Sequence, residues 1–171
     1  MSMERHVYPT VYLRQQEIVT RQVLTETWHP NAHYAWDAGV AIGRFLEELK
    51  AGHLVGRRCH KCRRVMIPPR MFCELCFRPS DEWVTLQNTG RVKTYSLCYV
   101  TWDMQRLADP QIPAVIDIDG ASKGMGILHM LSETKPDDVK IGMRVEAVWK
   151  PIDERQGAIT DIHYFRPLKK E

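Results

Sequence analysis

Four of the five cysteines form two Cys-x-x-Cys pairs that are separated by ten residues. A tetrahedral metal ion needs four soft donors that converge at about 2.3 Å, and each pair can supply two of them from one tight turn. Redox or incidental cysteines would not require two such pairs so close together. We therefore predict one structural metal ion, zinc in preference to iron, in a closed site with no position for water or substrate. The ligands are Cys59, Cys62, Cys73 and Cys76.

The residue after each cysteine pair departs from the usual pattern of such turns. Arg63 follows the first pair and Phe77 follows the second. Glycine is frequent at this position because it tolerates the left-handed backbone conformation that directs amide groups towards sulfur. We expect slightly less ideal turns but no missing ligand.

Six basic side chains lie between residues 57 and 70, and no acidic residue lies among them. They could compensate the dianionic metal centre, or they could bind phosphate groups of a nucleic acid or of a cofactor such as coenzyme A (CoA). The sequence leaves both interpretations open, and some of the arginines could serve both purposes. The candidate phosphate contacts are Arg57, Arg58, Arg63, Arg64 and Arg70, with Lys61 beside them.

The composition is that of a soluble globular protein. The chain has 171 residues, of which 44% are hydrophobic and 26% are charged, enough for one domain or two small modules. No apolar stretch approaches the roughly 20 residues of a membrane helix, and the N-terminus lacks the features of a signal peptide, so we expect a cytoplasmic protein. The net charge of +3 falls to +1 when four thiolates contribute −4 and a divalent ion +2, which disfavours a general polyanion binder.

A helix is expected just before the cysteines. It would begin near Asn31, with Asn31 or Asp37 as its cap, and end at Gly52. Its apolar residues recur at helical spacing, which favours packing against a core. They are Ile42, Phe45, Leu46 and Leu49.

After residue 82 the pattern changes to short β-rich segments that are separated by Gly, Pro and Asp. Five strands in about 75 residues suit a small barrel, and the OB-fold is the leading candidate. We thus predict a mainly β protein with an N-terminal extension and helix (1–52), a rubredoxin-like zinc ribbon (53–82) and a five-stranded OB-fold domain (83–171). The strands are expected near residues 91–101, 112–119, 124–131, 144–149 and 158–165.

No catalytic constellation is recognisable in the sequence. Cys98 has no neighbouring His or Asp and is expected to be a small buried hydrophobe. His129 could meet Asp117 or Asp119 across paired strands, but alternation on a half-exposed strand explains these residues equally well. Neither a glycine-rich phosphate loop nor a nucleophile elbow is present. These features indicate a module that binds or organises.

An aromatic segment surrounds the start of the predicted helix. Its side chains could pack the extension onto the rest of the chain, or they could anchor a partner protein. They are Trp28, His29, His33, Tyr34 and Trp36.

The order of these elements resembles the acyl-CoA-associated family that combines a zinc ribbon with an OB-fold domain. The segment from Phe45 to Leu54 resembles the family's entry into the ribbon, and Pro68-Pro69-Arg70 resembles its hairpin. Residues 89–96 and 113–120 are similar to the first two barrel strands, and residues 141–145 and 164–167 to the closing elements. Arg63, Phe77 and the N-terminal extension depart from the pattern.

The resemblance implies an accessory subunit without catalytic activity of its own. Such subunits pair with thiolase-like enzymes, stabilise the complex and help to form the channel for CoA or the acyl substrate. The partner would then carry the nucleophile, and a CoA thioester would be the ligand of the complex. One identity within the family is the small subunit of a benzoylsuccinyl-CoA-type thiolase.

The competing interpretation is a zinc-ribbon and OB-fold protein that binds single-stranded nucleic acid. A basic groove and exposed aromatic residues would suffice for that function. The segment from residue 88 to 171, however, holds twelve Lys or Arg and twelve Asp or Glu. A barrel that binds nucleic acid would be expected to carry an excess of positive charge.

Overall fold

The computed structural model describes residues 14–20 and 29–168. The chain divides into two units, Met1–Trp36 and Asp37–Glu171. In the first unit, the short helix α1 (Gln15–Val19) has no buried residue, and residues 29–36 form no regular element. Trp28 of the predicted aromatic segment lies outside the described residues.

Helix α2 (Gly39–Ala51) opens the second unit. Ala41, Phe45 and Leu49 recur every four residues and are buried, while Ile42 is 36% exposed. The helix begins at Gly39, eight residues after Asn31. Gly39 has a φ of 66°, so a right-handed helix cannot continue from it towards Asn31. The other predicted cap contributes, since the Gly39 N–H donates to Asp37 Oδ1 at 2.8 Å.

The end of helix α2 agrees with the prediction. Gly52 has a φ of 86°, and its N–H donates to the Leu49 carbonyl at 2.9 Å. Glycine adopts this left-handed conformation without steric cost, which explains why the helix stops there.

Five short strands follow helix α2 and carry the cysteines. Three of them form an antiparallel sheet in the order β2-β1-β5, and the other two form a separate hairpin, β3-β4. The first cysteine pair lies between β1 and β2, and the second lies at the turn between β3 and β4. The strands are β1 (Leu54–Arg58), β2 (Val65–Met66), β3 (Phe72–Cys73), β4 (Arg78–Pro79) and β5 (Glu82–Leu86).

The rest of the chain forms a closed barrel. Its strands neighbour one another in the order β6-β8-β9-β11-β10 and back to β6. All pairs are antiparallel except β9 with β11, which run parallel. A closed five-stranded barrel with this pairing is an OB-fold, as predicted. The strands are β6 (Thr89–Tyr95), β7 (Cys98–Val100), β8 (Arg106–Ile118), β9 (Gly126–Leu131), β10 (Arg144–Trp149) and β11 (Ile162–Pro167).

Alternation along β8 fills the barrel interior. Ile112, Ala114, Ile116 and Ile118 are buried, while the residues between them are partly exposed. Gly126 lies opposite β8, and a Cβ built there would be 2.3 Å from the Ile116 carbonyl oxygen. The close approach of β8 and β9 therefore requires glycine at this position.

Two predicted strands differ from the observed ones. The expected strand at 91–101 is divided into β6 and β7, and β7 leaves the barrel to pair with β8 alone. The expected strand at 158–165 begins only at Ile162, after a 3-10 turn (Ile159–Asp161). The buried Asp161 carboxylate accepts three backbone hydrogen bonds from residues 156–158, and this local network competes with extended structure.

Within the described residues, neither α-helix has the length and apolar character required to cross a bilayer.

Candidate metal centre and its surroundings

The two cysteine turns bring four sulfur atoms together. All four Sγ atoms lie within 4.8 Å of one another, and Cys62 Sγ is 3.6 Å from Cys73 Sγ. Tetrahedral coordination with bonds of about 2.3 Å places sulfur atoms roughly 3.8 Å apart. Cys59 and Cys73 are buried, whereas Cys62 is exposed and Cys76 is partly buried. The donor type, number and spacing therefore fit a metal ion that is held entirely by the protein.

In each turn, the residue after the cysteine pair adopts the left-handed backbone conformation. Arg63 has a φ of 60° and Phe77 a φ of 49°. A non-glycine residue in this conformation costs roughly 1–2 kcal/mol relative to the right-handed region. Both turns adopt the left-handed conformation despite this cost, and all four cysteines remain in the cluster.

The pKa values of two of the thiols shift in opposite directions. A backbone hydrogen bond from Cys62 lowers the pKa of Cys59 to about 7. Burial raises the pKa of Cys76 to about 12, and the surrounding thiols add to this shift. Adjacent sulfur atoms resist joint ionisation, so a cation is needed before all four can become thiolates.

The ribbon is hydrogen-bonded to the barrel at strand β2, which follows the first cysteine pair. The Val65 N–H donates to Ser122 Oγ at 2.9 Å, and the Ser122 N–H donates to the Val65 carbonyl at 3.0 Å. Ser122 belongs to the loop between β8 and β9. This reciprocal pair fixes strand β2 against the barrel.

Arg57 was expected to be a candidate phosphate contact, but the structure places it inside the ribbon. It is only 7% exposed. Its Nε donates to Ser80 Oγ at 2.9 Å, its Nη2 donates to the Ser80 carbonyl, and its guanidinium lies 5.0 Å from the Trp83 ring centroid. Arg57 therefore holds the ribbon together and is not available as a surface cation.

Three further arginines are paired with acids that lie C-terminal to the basic segment. Arg58 pairs with Glu82 of β5, and both Arg64 and Arg70 pair with Glu74. A hydrogen bond from its own backbone and the nearby Arg64 guanidinium hold the pKa of Glu74 below its ordinary value. The fold thus supplies the acids that the segment from 57 to 70 lacks.

Arg63 differs from the other four arginines. It is exposed, and it forms no ion pair with any residue that the structure describes. Lys61 is exposed nearby. The accessible positive charge of the ribbon is therefore concentrated at the tip of the first cysteine turn.

His129 does not contact Asp117 or Asp119, and each of these three residues has a different partner. His129 Nε2 lies 3.3 Å from the Ile159 carbonyl, and burial lowers the His129 pKa. Asp119 pairs with Arg144 at 2.7 Å, and Asp117 is 4.0 Å from the Lys93 ammonium. The possible meeting of His129 with these carboxylates is therefore not observed.

Cys98 also differs from expectation, because it lies on β7 outside the barrel and is only partly buried. The aromatic residues before helix α2 are exposed, Tyr34 by 80% and Trp36 by 89%. Their contact with a partner stays a prediction.

An apolar groove of about 530 Å³ lies on the barrel surface between β9 and the 3-10 turn that precedes β11. Sequence reasoning missed this groove, because its walls come from segments that are far apart in the chain. Basic side chains, Lys150 and two histidines, lie among its lining residues. The apolar lining consists of Pro113, Leu128, Met130, Ile159 and Ile162.

Comparison with known proteins agrees with the two-part architecture. Residues 46–82 match the family model of the ChsH2 rubredoxin-like zinc ribbon domain, and residues 83–150 match that of the ChsH2 C-terminal OB-fold domain. A "DUF35 domain-containing scaffold protein" of Methanocaldococcus jannaschii is 37% identical over 119 residues, which cover 68% of this chain and 82% of that protein.

Two further similarities extend this result. A "probable enoyl-CoA hydratase alpha subunit" of Thermomonospora curvata is 28% identical over 109 residues, covering 64% of this chain and 33% of that protein. A solved structure titled "Ltp2-ChsH2(DUF35) aldolase" superposes with a TM-score of 0.53 and 23% identity, covering 80% of this chain and 98% of the other, and it shares the fold. The chain belongs to the DUF35 family of ChsH2-like proteins, which join a zinc ribbon to an OB-fold domain.

Proposed function

We propose that this chain is a non-catalytic accessory subunit of a thiolase-fold acyl-CoA enzyme. The observation that carries the proposal is the closed cysteine site. Among the described residues, the one cluster able to hold a metal has all four donors supplied by cysteine. Such a site has no open position for substrate, and acyl transfer would additionally need an activated nucleophile with an oxyanion site.

The names of related proteins support the choice of partner class. The M. jannaschii relative is called a scaffold protein, one relative is called an enoyl-CoA hydratase subunit, and one fold neighbour is part of an aldolase. Each name links the family to assemblies or to acyl-CoA chemistry. A thiolase-fold partner is the specific form that we propose for this chain.

Zinc is the proposed metal, because four thiolates in tetrahedral geometry suit it and it has no redox chemistry. Cys59, Cys62, Cys73 and Cys76 would hold it. When bound, the ion would supply structural cross-linking of the two turns. Side-chain hydrogen bonds stabilise the rest of the ribbon: Ser122 fixes β2 to the barrel, and Arg57 joins β1 to Ser80.

CoA contacts are proposed for the exposed side of the ribbon. Arg63 is the first candidate, because it is exposed and has no ion pair among the described residues. The Arg58 and Arg70 side chains are 40% and 55% exposed, so they could exchange a carboxylate for a phosphate at moderate cost. Arg64 is only 19% exposed and ranks below them.

The apolar groove is proposed as part of the wall of an acyl-CoA channel. Its lining is mostly hydrophobic, as ligand pockets usually are, and Lys150 could meet a polar group of the ligand. The groove is open on this chain alone. The partner would close it.

Binding of single-stranded nucleic acid is the weaker alternative. Such proteins combine a continuous basic groove with a series of stacking aromatic residues. Here several barrel cations are paired with carboxylates: Lys93 with Asp117, Arg144 with Asp119, and Arg166 with Glu146. Residues 88–171 also hold as many acidic as basic residues, so the barrel has no excess of positive charge for a phosphate backbone.

Affinity purification of the tagged full-length chain from its native cells tests the proposal. We expect a thiolase-fold protein to be retained in a fixed molar ratio and to resist moderate salt. Retention of single-stranded RNA or DNA without such a protein would favour the alternative. Recovery of the chain alone at native concentration would contradict the accessory-subunit proposal.

A further inference from the structure

The hairpin formed by β7 and the first part of β8 projects from the barrel. Strand β8 pairs with β6 and β9 only from Ile112 onwards, whereas residues 106–111 pair with β7 alone. In residues 98–111 no side chain is fully buried. We call residues 98–111 the arm.

The tip of the arm presents large apolar side chains to solvent. Trp102 is 96% exposed and Met104 is 80% exposed. Tyr99 is 50% exposed and Val100 is 44% exposed, and these neighbours point to opposite faces of β7. Large apolar side chains are therefore uncovered at the tip of the arm and along β7, which is unusual for a surface that serves only as a connection.

Backbone geometry indicates that this exposure is not incidental. Met104 has a φ of 66°, a conformation that favours glycine or asparagine in hairpin turns. The side chain of Met104 gains no burial in exchange for this strain. Backbone strain without an internal benefit is typical of functional surfaces.

The turn is nevertheless well ordered by its own hydrogen bonds. The Thr101 N–H donates to the Gln105 carbonyl at 2.9 Å, and the Met104 N–H donates to the Thr101 carbonyl at 3.0 Å. Thr101 Oγ1 also accepts from the Gln105 N–H at 3.0 Å. The backbone that carries Trp102 and Met104 is thus ordered before binding, which lowers the entropic cost of docking.

The edges of the arm disfavour recognition by strand addition. Strand β7 has only three residues, and β8 carries Asp109 and Pro110 along its free edge. Short strands, charges and prolines on an edge prevent pairing with another strand. Recognition must therefore use the side chains of the tip.

The area of the tip indicates what kind of partner fits it. Trp102, Met104, Tyr99 and Val100 together expose roughly 450 Å² of apolar surface. A standard interface buries about 800 Å² on each partner, so two copies that met tip to tip would form too small an interface. A cleft in a larger protein could instead enclose the whole arm, residues 98–111, and so bury more of this chain than these four side chains.

We propose that the arm is the anchor by which this chain docks into an apolar cleft of its partner enzyme subunit, with Trp102 and Met104 as the central contacts. This inference rests on the proposed function. It adds the residues that determine the affinity, because tryptophan in a desolvated pocket commonly dominates binding energy.

The test measures the dissociation constant between the full-length chain and the thiolase-fold subunit that co-purifies with it. Trp102→Ala should weaken binding at least tenfold. Met104→Gly should weaken binding severalfold while the thermal midpoint of the chain stays the same or rises, since glycine relieves the left-handed strain. Ile152→Ala is the matched control: Ile152 is 74% exposed outside the arm, and this variant should bind like the wild type.

Hydroxyl-radical footprinting of the complex provides a second readout. Oxidation of Trp102 should be slower in the complex than in the free chain. Wild-type affinity for Trp102→Ala, or unprotected Trp102 in the complex, would overturn the arm proposal and leave the accessory function intact. Failure of the wild-type chain to bind any thiolase-fold subunit would overturn both, and loss of self-association in Trp102→Ala would identify a second copy as the occupant instead.

Discussion

Replacement of Asp161 by asparagine should destabilise the protein strongly, although it changes only one atom of the side chain. Asp161 is 1% exposed. Its Oδ1 accepts from the Gln156 N–H at 2.9 Å, and its Oδ2 accepts from the N–H groups of Gly157 and Ala158 at 2.7 and 3.1 Å. These bonds shape the turn that leads into β11 and forms one wall of the apolar groove.

The magnitude follows from the hydrogen bonds that asparagine cannot make. If its oxygen takes the place of Oδ2, the amide group meets the Gln156 N–H, so one charge-assisted bond is lost and two become neutral. Hydrogen bonds to charged groups contribute about 1.5–3 kcal/mol each and neutral ones about 1 kcal/mol, so these losses sum to roughly 2.5–7 kcal/mol. Asparagine avoids the cost of burying a charge, which offsets part of this sum, so Asp161→Asn should cost roughly 2–4 kcal/mol. In a protein of this size that corresponds to a decrease in melting temperature of roughly 5–15 °C.

The same carboxylate should make stability depend on pH. Burial alone would raise the Asp161 pKa, but the backbone N–H groups of Gln156, Ala158 and Gly157 outweigh burial and lower it below the ordinary 3.8. Because the Asp161 pKa is lower in the folded than in the unfolded state, the ionised carboxylate stabilises the fold fully at pH values above its unfolded-state pKa. This stabilisation is lost as the pH falls through the folded-state pKa. The stability difference between wild type and Asp161→Asn should therefore narrow below about pH 4.

Urea unfolding of wild type and Asp161→Asn across this pH range measures both effects. Only the difference between the two proteins is compared, because acid also releases metal from both. Asp153→Asn, at an exposed acid in the preceding 3-10 turn, is the control and should remain within about 0.5 kcal/mol of wild type. A change below 1 kcal/mol for Asp161→Asn, or a difference independent of pH, would refute the reasoning.

Three other changes test the metal, the ligand contacts and the barrel. Elemental analysis should find about one zinc per chain, and Cys59→Ser should lose metal and solubility while Cys98→Ser keeps both. Arg63→Glu should weaken CoA binding by the complex roughly tenfold and reduce its salt dependence, and unchanged binding would exclude this contact. Gly126→Ala should prevent stable folding, because the added Cβ would lie 2.3 Å from a β8 carbonyl, whereas Gly43→Ala, with no atom near its Cβ, should be neutral or stabilising in a melting experiment.

Local sequence signals predicted the parts of the structure that local chemistry determines. The cysteine spacing predicted the cluster that the fold brings together, and Gly52 predicted the end of helix α2. The barrel was predictable because breakers separate segments of β-forming residues. These features need few contacts between distant parts of the chain.

Features that depend on tertiary contacts were not predictable in the same way. The arginines looked unpaired because Glu74 and Glu82 lie outside the segment from 57 to 70. The pairing of β1 with β5 brings Glu82 to Arg58, and the fold of the second cysteine turn brings Glu74 to Arg64. The turn before β11 looked like a strand because its three-way carboxylate network is invisible in the residue pattern. Trp102 and Met104 did carry a signal, since large apolar residues are uncommon in a hairpin turn.

The accessory-subunit proposal is tested most directly by turnover of an acyl-CoA in a titration. A fixed amount of the separately purified thiolase-fold partner is mixed with increasing amounts of this chain, and thiolytic cleavage is measured. The account predicts no turnover by the chain alone, little by the partner alone, and a rise that saturates at a fixed molar ratio. Turnover by the isolated chain, or full partner activity in its absence, would contradict the account.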